Sequence, residues 1–156
     1  WVHTGDIGEF DSENYLKITD RKKDIIVNAG GDNISPSRIE AKLDIEPEIA
    51  QSMLYGDYKN YLVAVIVPDK EQAIKWAEKN NKNRTISEIV KDEFFIKNIR
   101  EVLARVNKNL SVIEQVKKFI LIDHEFTIEN NMMTPSMKVR RFKVKEMYAD
   151  KLDNLY

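Results

Sequence analysis

The chain has 156 residues, 42% hydrophobic and 33% charged, with a net charge of −1 and no cysteine. That size and balance suit one soluble globular domain with a single core, not a disordered tail. A near-zero charge gives no field to recruit nucleic acid or an anionic membrane, and the lack of cysteine removes disulfides, thiolate metal sites and thiol nucleophiles together.

No apolar run nears the roughly 20 residues that span a bilayer; the longest, residues 61–68, is the length of a strand. The chain opens on Trp1 without a basic and apolar signal segment, so it is expected to be a fragment of a longer protein. A cysteine-free chain fits a cytoplasmic setting.

Ile7 and Phe10 lead into the turn formers Asp11-Ser12-Glu13-Asn14, and Tyr15-Leu16-Lys17-Ile18 returns. This predicts a β-hairpin within residues 1–20. Asp20-Arg21-Lys22-Lys23-Asp24 breaks the apolar pattern and is expected as an exposed joint. Ile25-Ile26-Val27 predicts a short strand, followed by Ala29-Gly30-Gly31-Asp32-Asn33, where paired glycines imply a positive φ or a close backbone approach. Ser35-Pro36 predicts a helix start, with Ile39 and Leu43 on one face.

Strands are predicted at residues 51–55 and 61–67, joined antiparallel through the turn Gly56-Asp57-Tyr58-Lys59-Asn60. Asp69 is expected to cap a helix carrying Ala73, Trp76 and Ala77. Thr85-Ile86-Ser87-Glu88 has capping-box spacing and is expected to open one longer helix. Its stripe of Phe95, Ile99, Val102, Leu103, Val106 and Leu110 faces a core. Residues 116–123 read as a strand and 125–133 as a polar loop. A last helix is expected from about Lys138, with Val144, Met147, Tyr148, Leu152 and Leu155 as its apolar stripe. The sum is an α+β fold: a small mixed sheet with an N-terminal β-hairpin, flanked by helices.

Three segments carry more than periodicity does. They are HTGDIGEF at 3–10, ITDRKKDIIVNAGGDNISPSRIE at 18–40 and MMTPSMKVRR at 132–141. In that order and at that spacing they resemble the C-terminal domain of the acyl-adenylate-forming enzymes, over essentially the whole chain. Within that superfamily the match is most similar to long-chain fatty-acid–CoA ligases.

The resemblance implies an enzyme: an acid–thiol ligase converting fatty acid, ATP and CoA to acyl-CoA, AMP and pyrophosphate. It implies that residues 1–20 end an adenylation core and residues 21–156 form a mobile C-terminal domain. The large N-terminal adenylation domain, with its phosphate loop and most of the acyl pocket, is absent from this chain. The fragment alone is expected to be inactive. ATP, CoA and Mg2+ are implied cofactors, bound mainly with that other domain, and no metal ligand can be named here. The implied partners are the small-molecule substrates and the chain's own N-terminal domain, with peripheral membrane contact and no nucleic acid.

Residue by residue, Asp6 resembles the carboxylate that holds the nucleotide ribose, and Arg21 would reach ribose or phosphate oxygens with a guanidinium fork. Asp20 matches the hinge on which the domain swings between an adenylation pose and a thioester-forming pose. Ala29, Gly30 and Gly31 match the loop that faces the pantetheine arm of CoA; many members carry serine where Ala29 stands. Lys138 matches the lysine that bridges the substrate carboxylate and the α-phosphate.

On the residues alone, Asp6 reads first as an aspartate in a glycine-flanked turn, Lys22 and Lys23 as a solvated turn, and Gly30-Gly31 equally as a tight turn. Arg140, Arg141, Lys143 and Lys145 read as a solvated basic edge, with the 3′-phosphate of CoA or lipid headgroups as the functional alternative. His3 and His124 show no partner at recognisable spacing. The competing class is a small α+β ligand- or protein-binding module without catalysis.

Overall fold

The computed structural model describes residues 4–21 and 24–156, the side chains of residues 19–21 excepted. His3, Lys22 and Lys23 therefore lie outside the described residues, as do the side chains of Asp20 and Arg21.

β1 (Asp6–Phe10) and β2 (Leu16–Arg21) form an antiparallel hairpin. Its turn closes because Asp11 Oδ1 accepts the N–H groups of Glu13 and Tyr15, each at 2.9 Å, while Asn14 takes φ 66°. This is the local bonding for which Asp and Asn are favoured in turns. Ladder pairing continues through Asp20 and Arg21, so the first two residues of the expected joint belong to β2. Phe10, Tyr15, Leu16 and Ile18 are all more than half exposed.

β3 (Ile26–Val27) and β4 (Asn33–Ile34) make a second, minimal hairpin. α1 (Pro36–Leu43) follows, with Ser35 at its N-cap position, Pro36 at its start, and Ile39 and Leu43 fully buried.

The main sheet has the order β5 (Ile49–Tyr55), β6 (Leu62–Pro68), β7 (Val116–Leu121). β5 and β6 pair antiparallel and β6 and β7 parallel, so the sheet is mixed as expected. β6 is central and buried along its whole length, which explains its unbroken apolar run. A parallel neighbour requires a long crossover, and α2 (Lys70–Lys79), α3 (Ile86–Ile89) and α4 (Glu93–Asn107) supply it.

The sheet has a core on each face. Leu54, Leu62, Ala64 and Ile66 pack with the buried residues of α1, α2 and α4. Met53, Val63, Val65 and Val67 pack with Phe126, Met132, Met133 and the buried row of α5 (Arg141–Asp153).

Two expectations about helices need correction. Thr85 makes no side-chain cap bond and opens only the single turn of α3; α4 starts afresh because Asp92 Oδ1 accepts the N–H groups of Phe94 (2.8 Å) and Phe95 (3.3 Å). The capping box that does form is Ser111 with Glu114, at the 3-10 turn Val112–Glu114 before β7. The last helix begins at Arg141, not Lys138, and its backbone kinks at Tyr148. Its buried row is Val144, Tyr148 and Leu152, spaced i, i+4, i+8, which leaves Met147 facing water.

Candidate functional site

Lys138 stands on a turn between the second core and α5. Met133 and Val139 form an antiparallel bridge at its base. Above them, the Thr134 N–H donates to the Lys138 carbonyl at 2.8 Å, and the Met137 N–H donates to the Thr134 carbonyl at 2.9 Å. The Lys138 N–H donates to Thr134 Oγ1 at 3.1 Å, and that hydroxyl also lies 3.0 Å from Ser136 Oγ. Pro135 fixes one φ, and Met137 takes φ 60°, a left-handed conformation that costs a non-glycine residue roughly 1–2 kcal/mol.

The loop is therefore a closed turn, not a loose strap. Met132 and Met133 root one limb in the core, and the Arg140 N–H donates to the Met132 carbonyl at 2.7 Å. The Lys138 side chain is exposed and has no ion-pair partner among the described residues.

Arg141 departs from the solvated basic edge. Its Nη1 and Nη2 each donate to Glu40, to Oε1 and Oε2 respectively, at 2.5 Å. Glu40 is 8% exposed and also accepts the Leu54 N–H at 2.7 Å. A guanidinium committed to a buried carboxylate is not on offer to a phosphate. Lys143 pairs with Glu146, and Lys145 lies 4.9 Å from the Tyr55 ring centroid.

Asp44, one turn beyond Glu40, accepts the Ser52 hydroxyl at 2.6 Å. The residue reaches solvent, but burial of its carboxyl pushes its pKa up to about 6; the Ser52 bond opposes that rise and the Glu40 charge adds to it.

In the second candidate loop, Gly31 takes φ 86°, which justifies a glycine there, whereas Gly30 does not have positive φ. Asn28 staples the loop: its Oδ1 accepts the Asp32 N–H at 2.9 Å and its Nδ2 donates to Asp32 Oδ2 at 3.0 Å. The Ala29 N–H donates to the Lys59 carbonyl and the Gly31 N–H to the Asn28 carbonyl, each at 3.0 Å. Of the three residues singled out, Gly30 alone keeps an N–H not engaged by these bonds.

The hairpin brings two further candidates together. Asp6 and Arg21 are direct Cα partners across the β1–β2 ladder, and Asp20 is the partner of Ile7. Between Ile7–Gly8 and Ile18–Asp20 the register slips, leaving Thr19 as the extra residue of a β-bulge beside Asp20.

His124, without a partner in sequence, has two in space. Its Nδ1 lies 3.0 Å from Asp123 Oδ1 and its Nε2 lies 2.6 Å from the Tyr148 hydroxyl. With Nδ1 protonated, the ring donates to Asp123 and accepts from Tyr148. The His124 bond holds the Asp123 carboxyl below its usual range. Burial, with the Asp123 charge behind it, pushes the Tyr148 hydroxyl up to about 12. This chain of three ties the loop after β7 to the kink of α5. Among the described residues there is no group of three acidic, histidine or cysteine side chains able to hold a metal, and no helix long and apolar enough to cross a membrane.

Comparison with known proteins bears on the fold and the family. The chain is 35% identical over its whole length to the long-chain-fatty-acid–CoA ligase FadD15 of Mycobacterium tuberculosis, of which it covers 26%. Among solved structures it resembles the adenylation domain of a carboxylate reductase from Mycobacterium chelonae, with 28% identity and a TM-score of 0.80 over 98% of this chain and 22% of that one. It also resembles the adenylation domain of the carboxylic acid reductase from Segniliparus rugosus, in complex with AMP and a co-purified carboxylic acid. There the identity is 27% and the TM-score 0.75, over 98% of this chain and 23% of that one. The chain thus spans about a quarter of the length of the curated relatives it matches. The model of the AMP-binding enzyme C-terminal domain matches residues 23–156, and the chain belongs to that family.

Proposed function

We propose that the chain is the mobile C-terminal domain of an ATP-dependent long-chain fatty-acid–CoA ligase, and that Lys138 serves its adenylation step. The observation that carries this reading is the Lys138 ammonium, without an ion-pair partner among the described residues, on a turn braced by hydrogen bonds and rooted in the core. The identity to a long-chain ligase supports the substrate class.

In the first half-reaction the fatty-acid carboxylate attacks the α-phosphate of ATP; a C–O–P linkage forms and pyrophosphate leaves. In the second the CoA thiol attacks the acyl carbon, forming the thioester and releasing AMP. The first step forces two anions together. A compact ammonium on a long stem, delivered where water is excluded, neutralises both as they meet.

The other candidates fall into supporting roles. Asp6 and Arg21, facing each other across the hairpin, hold the nucleotide. Asp20 is the pivot, and the adjacent bulge weakens the ladder where the backbone must turn. Ala29, Gly30 and Gly31 face CoA through the Gly30 N–H and a backbone with little side chain to hold a thin substrate off. Residues 1–20 finish the adenylation core, and residues 21–156 move; the apolar side chains that the hairpin leaves in water support a surface made to be covered.

Mg2+ would be held with ATP outside the described residues, which offer no group of three metal-binding side chains, and would supply charge neutralisation for the phosphates. Peripheral membrane contact is proposed on the greasy substrate alone, and the cytoplasmic setting on the cysteine-free composition.

The test is to supply the protein carrying both domains with ATP, CoA and a long-chain fatty acid. AMP and acyl-CoA should form only when the acid is present, while the 156-residue chain alone should be inactive and bind ATP, AMP and CoA weakly in titration calorimetry. Tight nucleotide binding by the chain alone would transfer it to the class of binding modules, and AMP release indifferent to the acid would defeat the ligase reading.

A further inference from the structure

We infer that Glu40 and Arg141 form a positioning pair for Lys138, a strut that fixes the lysine turn to the helix following the glycine loop. The inference rests on the adenylation role proposed for Lys138 and goes beyond it, because neither residue touches substrate.

Four observations carry it. The pair is bidentate and shielded, with side-chain exposures of 21% for Arg141 and 10% for Glu40. Glu40 is engaged on a third side by the Leu54 N–H of the edge strand β5, so three elements meet at one carboxylate. Arg141 is the first residue of α5, where a cation opposes the helix dipole; its position there is unfavourable unless a buried acid compensates. Finally, Arg141 lies three residues after Lys138, and the intervening segment is tied down by the Arg140–Met132 hydrogen bond and the Val139–Met133 bridge.

The consequence is mechanical. Glu40 sits in α1, and β4 alone separates that helix from the loop at 28–32. With the strut in place, the lysine turn and the glycine loop travel as one body when the hinge turns. Without it, the core contacts of Met132 and Val144 still hold the fold, but the turn loses the contact that sets its height over α1. Replacing a guanidinium fork by an ammonium keeps the charge and loses the two-point orientation.

The experiment uses the protein carrying both domains, with the variants Arg141→Lys and Glu40→Gln. Adenylate formation and thioester formation from supplied acyl-adenylate are measured separately. Each variant should lower kcat for adenylate formation about tenfold, well inside the hundredfold that roughly 1 Å of misplacement can cost. KM for ATP and the thioester half-reaction should stay within about twofold. Amide exchange across residues 133–140 should quicken while that of β6 stays unchanged.

A merely structural pair would depress both half-reactions together and quicken exchange in β6, and that result overturns the inference. Undiminished adenylate formation in both variants overturns it as well. Lys138→Ala, run in parallel, separates the two claims. If it abolishes adenylate formation while Arg141→Lys does not, the strut fails alone; if it leaves adenylate formation intact, the proposed role of Lys138 fails first.

Discussion

Replacing Thr134 with valine removes one hydroxyl and leaves the side-chain volume almost unchanged. That hydroxyl accepts the Lys138 N–H at 3.1 Å and lies 3.0 Å from Ser136 Oγ. The backbone bonds Thr134 N–H to Lys138 carbonyl and Met137 N–H to Thr134 carbonyl remain. The turn is exposed, so water replaces the lost acceptor, and the net cost is that of one ordinary hydrogen bond, about 1 kcal/mol. This energy is local: it favours open forms of the turn by about fivefold, since about 1.4 kcal/mol is a factor of ten. Adenylate formation in the two-domain protein should therefore fall by up to about fivefold. The unfolding midpoint should drop by no more than about 4 °C, the shift expected for 1 kcal/mol in a domain of this size. Thr134→Ser, which keeps the hydroxyl, should restore most of the rate. Stopped-flow or pyrophosphate-exchange measurements of the three proteins decide the matter. Equal rates for serine and valine variants would refute the claim that this hydroxyl orders the turn.

Asp92→Ala removes the N-cap of α4 and its 3.1 Å pair with Lys82; the loss should be about 1 kcal/mol, seen as a fall of about 3 °C in the unfolding midpoint, and an unchanged midpoint would contradict the cap assignment. Asp44 binds its proton more tightly in the folded chain than in the unfolded one, its pKa rising from 3.8 to about 6. Its stabilising contribution is thus full below pH 4 and is lost as pH climbs towards 6 and beyond. Asp44→Asn should flatten that part of the stability profile, so the variant gains on the parent between pH 4.5 and pH 7 in urea titrations. A difference that stays constant across this interval would rule out Asp44 as its source.

Sequence reading recovered much of what is set by neighbours along the chain. The Asp11–Asn14 turn, the Asp69 cap, the apolar run of β6 and the stripe of α4 from Phe95 to Val106 are local patterns that formed where expected, while Leu110 is buried beyond the end of the helix. The break between α3 and α4 was equally local but ambiguous: Thr85 and Asp92 both can cap, and the bonds formed at Asp92. Parallel pairing of β6 with β7 leaves no local mark, because a doubly buried strand looks the same beside either neighbour.

The site divides the same way. Lys138, Asp6 and the glycine pair were singled out by the family resemblance of their segments; the residues alone allowed a solvated lysine and ordinary turns. Glu40 and Arg141 lie 101 residues apart, and His124 and Tyr148 lie 24 apart. Contacts of that kind follow from tertiary packing, so Arg141 read as one more surface cation until the fold put a carboxylate beside it.

The central claim is that a braced turn delivers one ammonium to the meeting of carboxylate and α-phosphate. The most direct measurement follows both half-reactions of the two-domain protein after Lys138→Ala. Adenylate formation should fall by about 10²–10³, the effect of removing one preorganised charge, while thioester formation from supplied acyl-adenylate remains near the parental rate. An undiminished first half-reaction, or an equal loss in both, would contradict it.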